Sequence, residues 1–334
     1  MRQRLIQFAS VAAVIAIVTL AMVNVRGQTQ APTVGHGSLT KPAAKPGPPP
    51  PKTPWGDPDL QGEWAGMTPT PLERPDPGKV VVTDPAELDR LYDLDPEETG
   101  RGVGSYNAFW HETGLPIPGR DSLIVDPPNG KLPPLTPEAQ RARAAARPRN
   151  PDADGGDRAD GPEDRSLHER CLNWEVMITG GGNNTWYRIV QTPGWVAINQ
   201  YRIHDMRLIP LDGRPHLPQD VRPWVGDSRG HWEGKTLVVD TTNYNGKNNF
   251  RGSSKNMHLV ERFTRIDADT INYEATVNDP TVWTKPWTVL NPLRRDSSGF
   301  FEYACHEGNF AMVGMLSGAR AKEKAKTAAA KGRQ

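Results

Sequence analysis

Charge of one sign is scarce in this sequence, and so are long apolar runs. The 334 residues carry a formal net charge of +1, and no basic stripe occurs before the last few residues, which argues against a nucleic-acid partner. Beyond residue 23, no segment is apolar enough to span a bilayer. We therefore expect no nucleic-acid partner, and membrane contact only through an uncleaved N-terminal signal.

The N-terminus has the composition of an export signal. Positive charge at Arg2 and Arg4 precedes an apolar stretch at residues 5–23, and small or polar residues follow at 27–29. We expect cleavage near Gly27, which predicts a periplasmic or secreted protein. An uncleaved anchor helix is the alternative, because the apolar stretch is long enough to span a membrane.

Cysteine is almost absent, since the chain contains only Cys171 and Cys305. In an oxidising compartment an even pair predicts a disulfide. Two separate buried thiols are one alternative. A zinc site completed by His168 and His306 is another, although zinc ligands adjacent in sequence are unusual. Neither cysteine has the Cys-His-Asn context of a catalytic thiol.

Several common site motifs are missing as well. No Gly-x-Ser-x-Gly nucleophile elbow occurs, and the nearest segment, around Ser228, lacks the strand–turn–helix setting. The glycine run at 180–182 precedes an expected strand rather than a helix, so it does not predict a phosphate cradle. The histidines show no tight ligand spacing. We therefore expect neither a cofactor nor a metal ion.

Glycine and proline are abundant instead, with 32 and 33 residues, which favours turns and linkers over long helices. Two short helices are expected, one starting near Thr83 and one near Thr136, because a capping residue precedes a proline in the first turn. The expected segments are a signal peptide (1–27), a Pro-rich disordered linker (28–53), an N-terminal wrapping segment with the two helices (54–150), a mobile loop (151–170), a β-barrel domain (171–318) and an Ala/Lys tail (319–334).

From residue 172 onward, short alternating segments predict β-strands. They lie at 185–191, 195–205, 236–242, 259–266, 271–277, 287–290 and 299–304. Many short strands joined by polar turns indicate a mainly β, antiparallel fold. We interpret it as a lipocalin-like barrel, with a β-sandwich as the alternative. The triplet Gly62-Glu63-Trp64 resembles the first strand of lipocalin-like barrels, in which the Trp plugs the barrel base.

Longer motifs resemble a family of predicted exported bacterial proteins that has no established activity. They read DPDLQG at 57–62, IPLDGRPH at 209–216, and GDSRGHWEG with TLVVDTTN across 226–243. The resemblance runs from about Pro54 to Arg320. Because the family has no known catalytic residue, the resemblance assigns no role to any residue of this chain.

The stretch from His204 to Tyr244 concentrates the candidate acid–base groups. His231 and Glu233 are two residues apart, so a strand would turn both to one face. A histidine beside a carboxylate is the minimum for acid–base chemistry near neutral pH. We predict that this pair shares one solvent-reachable cavity with His204, and that Asp205 completes the catalytic set. The alternative is that these residues cap turns and strand edges.

The first function that the sequence predicts is binding of a small, partly apolar molecule inside the barrel. Ten Trp residues would supply an aromatic lining. The expected ligand-binding residues are aromatic residues and arginines, namely Arg202, Arg229, Trp232, Trp195 and Tyr201. One alternative is a cofactor-independent hydrolase, lyase or isomerase that uses the His–carboxylate pair. Another is a Trp-lined carbohydrate-binding module.

Overall fold

The structure, a computed structural model, describes residues 51–79, 81, 83–84, 114–145, 159–173, 185–247, 250–297, 299 and 302–331. All of them belong to the compact unit that begins at Ala44. The expected signal peptide, nearly all of the linker, the body of the helix after Thr83, the glycine run at 180–182 and the first half of the loop 151–170 lie outside the described residues. In the described part of the chain, no helix is long and apolar enough to cross a membrane.

The described backbone is mainly β-structure. The strands are β1 (Gly62–Ala65), β2 (Ile124–Asp126), β3 (Trp186–Thr192), β4 (Trp195–Gln200), β5 (Met206–Pro210), β6 (Asp227–Glu233), β7 (Thr236–Thr242), β8 (His258–Arg265), β9 (Thr270–Asn278) and β10 (Trp287–Arg295). The α-helices are α1 (Pro137–Ala145) and α2 (Phe310–Lys331). Short 3₁₀ turns occur at Pro162–Asp164, Arg202–His204 and Phe250–Gly252.

The strands form one antiparallel sheet that curls into a nearly closed barrel. The order around it is β5-β4-β3-β1-β10-β9-β8-β7-β6, with β2 paired to β10. β5 and β6 are not joined by a ladder of described residues, but they lie side by side. A Cβ placed on Gly230 in β6 would lie 2.8 Å from Cγ2 of Ile209 in β5 and 2.6 Å from Cδ2 of Leu211. The prediction of a mainly β, antiparallel barrel is confirmed.

Alternating side chains from the strands fill the barrel interior. In β8 the burial alternates strictly, with Leu259, Glu261 and Phe263 fully buried and Val260 and Arg262 part-exposed, as the twofold period of a strand requires. Trp64, Tyr273 and Trp287 come from three further strands and are also fully buried. Each such side chain stabilises the fold by about 1.5–3 kcal/mol relative to leaving it exposed.

Trp64 seals one end of the barrel, which we call the base. Its indole N–H donates to the carbonyl of Leu60 at 3.0 Å, and the guanidinium groups of Arg295 and Arg265 lie 4.6 and 5.5 Å from its ring centroid. Gly62 makes this arrangement possible, because its φ is +134° and a Cβ there would lie 2.7 Å from Nη1 of Arg295. The Trp therefore plugs the base, as the Gly62-Glu63-Trp64 triplet predicts.

β5 and β6 run in the same direction, because nine strands alternate in direction from one to the other. Their connection must therefore return along the outside of the barrel. Residues 211–226, which we call the strap, make this crossing from the base to the opposite end, which we call the mouth. Nδ2 of Asn243 donates to the carbonyl of Leu217 at 2.8 Å, and Nη1 of Arg222 donates to the carbonyl of Tyr244 at 3.0 Å. These bonds hold the strap on the sheet.

A disulfide joins Cys171 to Cys305, whose Cα atoms are 5.8 Å apart. This confirms the predicted bond and overturns both alternatives, since neither cysteine remains as a free thiol or a zinc ligand. Close to the bond, Nδ2 of Asn309 donates to the carbonyl of Glu169 at 2.9 Å. The disulfide and this hydrogen bond together fix the start of α2 to the segment that precedes β3.

Several boundaries differ from the sequence-based expectation. The strand expected at 195–205 ends at Gln200, because Ile203 adopts a φ of 65° and the chain then starts β5 as a separate strand. Of the strand expected at 299–304, residues 302–304 lie in no strand. The expected Ala/Lys tail is helical as far as residue 331, and its helix, α2, begins before the tail, at Phe310.

Candidate functional site

The predicted pair of His231 and Glu233 meets in space, but on the outer face of the barrel. Nε2 of His231 lies 3.2 Å from Oε1 of Glu233, and the two side chains are 58% and 48% exposed. Nη2 of Arg262 donates to Oε2 of Glu233 at 2.6 Å, and this bond, with that from His231, lowers the pKa of the Glu233 carboxyl. The inward neighbours on β6 are Gly230 and Trp232, so the pair does not line the interior.

His204 lies at the opposite end of the barrel from that pair. Its backbone closes the 3₁₀ turn just before β5 begins, whereas Glu233 ends β6, which runs parallel to β5. Asp205 accepts a hydrogen bond from Nδ2 of Asn173 at 2.5 Å. The three residues predicted to share one cavity are therefore not brought together, because the strand expected to extend through His204 ends four residues earlier.

Among the expected ligand-binding residues, Trp232 points inward and packs against the core. Trp195 lies on the outside near the base, 39% exposed, where the guanidinium of Arg214 lies 5.1 Å from its ring centroid. Tyr201 lies at the mouth, and its ring centroid is 6.0 Å from that of Tyr303.

The two expected arginines also lie away from the interior. The guanidinium of Arg202 is 5.9 Å from the Tyr303 ring centroid, beside the disulfide-bonded segment. Arg229 is on the outer face of β6, where its Nη1 donates to Oδ1 of Asp227 at 2.6 Å. The structure thus separates the five expected binding residues among the interior, the mouth and the outer face.

The barrel interior holds a buried ion pair between Arg207 in β5 and Glu261 in β8. Their side chains are 9% and 0% exposed, and the contact is bidentate, with Nη2 of Arg207 3.0 Å from Oε1 of Glu261. The hydroxyl of Tyr273 donates to the same carboxylate at 2.9 Å. Burial opposes the charge on Arg207, but the Glu261 carboxylate raises its pKa overall. Both charges are therefore compensated inside the barrel.

Two donors near the mouth are fully buried with no acceptor among the described residues. They are Nε1 of Trp287 and the hydroxyl of Tyr244, in side chains 0% and 1% exposed. Burial, and after it the charge of Glu261, raise the pKa of Tyr244, whereas the charge of Arg207 and the nearby Thr241 hydroxyl act to lower it. The Thr241 hydroxyl also lies 2.9 Å from that of Ser228. Leaving a buried donor unpaired costs about 1–3 kcal/mol, so each group points to an acceptor that the described residues do not supply.

Aromatic rings surround the unpaired indole at the mouth. Phe250 stacks on Trp287 with ring centroids 6.1 Å apart, and Trp283 meets it edge-on at 5.5 Å. Phe250 and Trp283 come from the connections that follow β7 and β9. An apolar, aromatic lining with a few buried polar groups is typical of small-molecule sites.

A second polar arrangement runs across the outer face of β6, β7 and β8. We call it the outer-face chain. Nε2 of His258 is 2.7 Å from Oδ2 of Asp240, and Oδ1 of Asp240 is 2.9 Å from Nε2 of His216. Nδ1 of His216 is 2.9 Å from Oδ2 of Asp227, which Arg229 also contacts. The chain therefore leads from a 40% exposed histidine to a 6% exposed carboxylate.

The electrostatics of the outer-face chain follow from these bonds. The hydrogen bond from Asp240 raises the pKa of His258, although partial burial opposes this. Burial acts to raise the pKa of Asp240, but its bonds to His258 and His216 lower it overall. Both ring nitrogens of His216 face carboxylate oxygens, so bonding both requires a proton on each nitrogen. The arrangement can hold and pass protons along adjacent groups.

Sequence reasoning places His216, Asp227 and Asp240 in the right stretch but does not pair them. The register of the β6–β7 hairpin sets Arg229 opposite Asp240, and His216 arrives from the strap. The period-2 recurrence of polar residues at 227, 229, 231 and 233 is the signal that indicates the outward face of β6. In the described residues, no group of three or more His, Cys, Asp or Glu side chains is arranged to hold a metal ion.

Comparison with known proteins adds little to this geometry. No known family model matches the chain, and no curated protein matches it. A solved structure that does match is the crystal structure of a single-residue variant of the fluorescent protein UnaG. It is 15% identical, the match covers 39% of this chain and 86% of that chain, and the TM-score is 0.23. The resemblance to a family of exported bacterial proteins therefore stays a prediction.

Proposed function

We propose that the barrel binds a small, partly apolar molecule at its mouth. The observation that carries the proposal is the pair of fully buried donors on Trp287 and Tyr244, which have no acceptor among the described residues. Trp64 closes the base, so a molecule that reaches these donors enters from the mouth.

The chemistry of the mouth limits what this molecule is. Both unpaired groups donate, so the ligand presents at least one acceptor oxygen or nitrogen to them. The buried charges of Arg207 and Glu261 neutralise each other, so this pair offers no free charge to an ionised ligand. The rings of Phe250 and Trp287 supply an apolar surface for the rest of the molecule. A flat or apolar body with a polar, hydrogen-bond-accepting end fits these features.

The test uses 6-propionyl-2-(dimethylamino)naphthalene, an uncharged fluorescent molecule with a flat apolar body and an acceptor carbonyl oxygen. We expect saturable 1:1 binding that enhances dye fluorescence and quenches protein tryptophan fluorescence. Trp287→Phe and Tyr244→Phe should each weaken binding about tenfold, since a lost hydrogen bond costs about 1–1.5 kcal/mol. Tyr244→Phe should not lower the melting temperature, because it removes a donor for which no described residue supplies an acceptor. Trp287→Phe also truncates a fully buried ring, so it should lower the melting temperature modestly through the cavity that it leaves.

The control is Trp55→Phe, which removes an exposed indole whose N–H is already paired with Asp57 at 3.0 Å. It should bind the dye as the unchanged protein does. Loss of binding in Trp232→Phe but not in Trp287→Phe would move the site towards the base. Absence of saturable binding, or equal loss in the Trp55→Phe control, would contradict the proposal.

Export is part of the proposed function. The Cys171–Cys305 disulfide supports it, because such bonds persist in oxidising compartments. N-terminal sequencing of the protein from the periplasmic and extracellular fractions tests this. We expect the chain to begin near Gln28 in one of these fractions, whereas an intact Met1 in the membrane fraction would support the uncleaved anchor.

A further inference from the structure

The exposed end of the outer-face chain is a histidine whose second nitrogen is open. Nε2 of His258 is bonded to Asp240 at 2.7 Å, and no described residue is bonded to its Nδ1. An ionised Asp240 accepts the proton on Nε2, so neutral His258 carries its lone pair on Nδ1. The carboxylate thus fixes the imidazole in the tautomer that presents a base to the solvent.

The support behind His258 extends over four further residues. Asp240 is held from its other side by His216, which is held in turn by Asp227. Asp227 is 6% exposed and is fixed by Arg229 and by the backbone N–H of Leu217 at 2.8 Å. Asp240 is thus held on both sides, by His216 and by His258. A fixed position is the property that an orienting carboxylate needs in acid–base catalysis.

The charged surroundings of His258 come from three elements. β7 contributes Asp240, β6 contributes Asp227 and Arg229, and the strap contributes His216. On the other side, the register sets the neutral side chain of Asn278 in β9 opposite His258. Asp240 is therefore the charged group that bonds His258 directly.

We propose that His258, oriented by Asp240, is a general acid–base site that activates water for the hydrolysis of a small carboxylic ester. The side chain is 40% exposed, so water reaches it freely, and water is the available nucleophile. An isomerisation, by contrast, benefits from a closed site that keeps solvent from exchanging the transferred proton. This site is separate from the barrel interior and does not depend on the ligand proposed there.

The hydrolysis conserves atoms and charge at each step. A water oxygen attacks the ester carbonyl carbon while Nδ1 of His258 takes one proton from that water. The ester C–O bond breaks, and the alkoxide or phenoxide leaves with the bonding electrons. His258 returns its proton to the leaving group or to solvent, which regenerates the neutral imidazole. Asp240 is a positioning residue in this scheme, since it contacts His258 and not the reacting atoms.

The probe is p-nitrophenyl acetate, with the full chain purified in its oxidised form. We expect hydrolysis faster than that given by the same concentration of free imidazole, with a rate that rises with pH as His258 loses its proton. His258→Gln should lower the protein-catalysed rate by about 100-fold, since a positioned acid–base group contributes about 10²–10⁴-fold. Asp240→Asn should lower the maximal rate and move the midpoint of the pH profile to lower pH.

Two further variants separate this site from other exposed imidazoles. His306→Gln removes an exposed histidine near the disulfide and should leave the rate unchanged. His231→Gln removes the histidine that was predicted from the sequence to be catalytic. A loss of rate in this variant equal to that in His258→Gln would overturn the proposal. A rate no higher than that of free imidazole, or one unchanged by His258→Gln, would overturn it as well.

Nitrogen NMR of the labelled imidazoles gives a readout that does not depend on turnover. Neutral His258 should carry its proton on Nε2, and its titration midpoint should fall in Asp240→Asn. A proton on Nδ1 in the neutral form would contradict the geometry from which the proposal starts. Circular dichroism and melting curves should show that each variant remains folded.

Discussion

Glu261 is a residue whose loss the barrel should tolerate poorly. It is fully buried and accepts hydrogen bonds from both terminal nitrogens of Arg207 and from the hydroxyl of Tyr273. Removing the charge of Glu261 leaves the charge of Arg207 uncompensated in a low-dielectric interior. The free-energy cost of that exceeds the net stabilisation that the ion pair provides.

We expect Glu261→Gln to lower the free energy of unfolding by about 3–5 kcal/mol, because Arg207 keeps an uncompensated buried charge. Urea titration followed by tryptophan fluorescence measures this. The double variant Arg207→Met with Glu261→Leu removes both charges and should recover most of the loss. A loss below about 1 kcal/mol in the single variant would mean that water enters the interior and solvates the arginine.

The second prediction at this scale concerns pH and the His258–Asp240 pair. The pKa of His258 is raised from the ordinary value of 6.5, so its contribution to stability is complete below that value and is lost as pH rises through the raised pKa. The pKa of Asp240 is lowered from 3.8, so its contribution is present above that value and is lost as pH falls through the lowered pKa. The pair therefore stabilises the fold most in the window between the two groups.

The measurement compares unfolding free energies of the unchanged protein and His258→Gln across this window. The difference between them should be largest near about pH 5 and should shrink towards about pH 9, where the unchanged histidine is neutral. A difference that grows with rising pH would show that folding lowers the pKa of His258 instead of raising it.

Among the elements, β7 is the one that the sequence predicts to the residue, at 236–242. Its run of branched apolar residues is typical of a strand in any context. β6 is missed because its inward positions are Ser228, Gly230 and Trp232, so the usual contrast between apolar and polar faces is absent. The interior position of Gly230 depends on β5 lying beside it, and that neighbour is set by the closure of the sheet rather than by local sequence.

Gly230→Ala tests how tightly β5 and β6 approach. A Cβ there would lie 2.6 Å from Leu211 and 2.8 Å from Ile209, so the substitution overpacks the contact and should lower the free energy of unfolding by about 1–3 kcal/mol. Gly308→Ala is the matched control, because its nearest heavy atom would be the Ala304 carbonyl oxygen at 3.9 Å. Equal melting temperatures for the two variants would show that β5 and β6 can move apart without a loss of folding free energy.

At the scale of the whole molecule, the disulfide is the longest-range covalent constraint on the chain. It closes a loop across a sequence separation of 134 residues. Replacing both Cys171 and Cys305 by Ser should lower the free energy of unfolding by about 5 kcal/mol in the chain-entropy account. Denaturant titration of the oxidised protein and of the double variant measures this. Reduction of the unchanged protein should reproduce the loss, and an effect below about 1 kcal/mol would show that the unfolded chain is already compact.

The fold class and the disulfide could be read from the sequence, whereas the arrangement of the site could not. Gly62 and Trp64 indicate a barrel through local chemistry, and two cysteines allow only one bond. The outer-face chain instead needs the β6–β7 register and the path of the strap, and the Arg207–Glu261 pair needs the curvature that brings β5 opposite β8. These are properties of closure, and no short segment of sequence encodes them.

The odd number of strands around the barrel bears on how strands of a second copy of the chain could pair with it. Nine antiparallel strands end in a parallel pair, β5 and β6, that forms no ladder of described residues, so the backbone groups along this seam are a template for strand addition by a second chain. The strap runs over the outside of β6 and is fastened there by His216 and by the carbonyl of Pro215, which accepts from Arg229 at 2.9 Å. We therefore expect the strap to hinder strand addition at this seam, and the residues that fasten it to limit aggregation as well as to hold the fold.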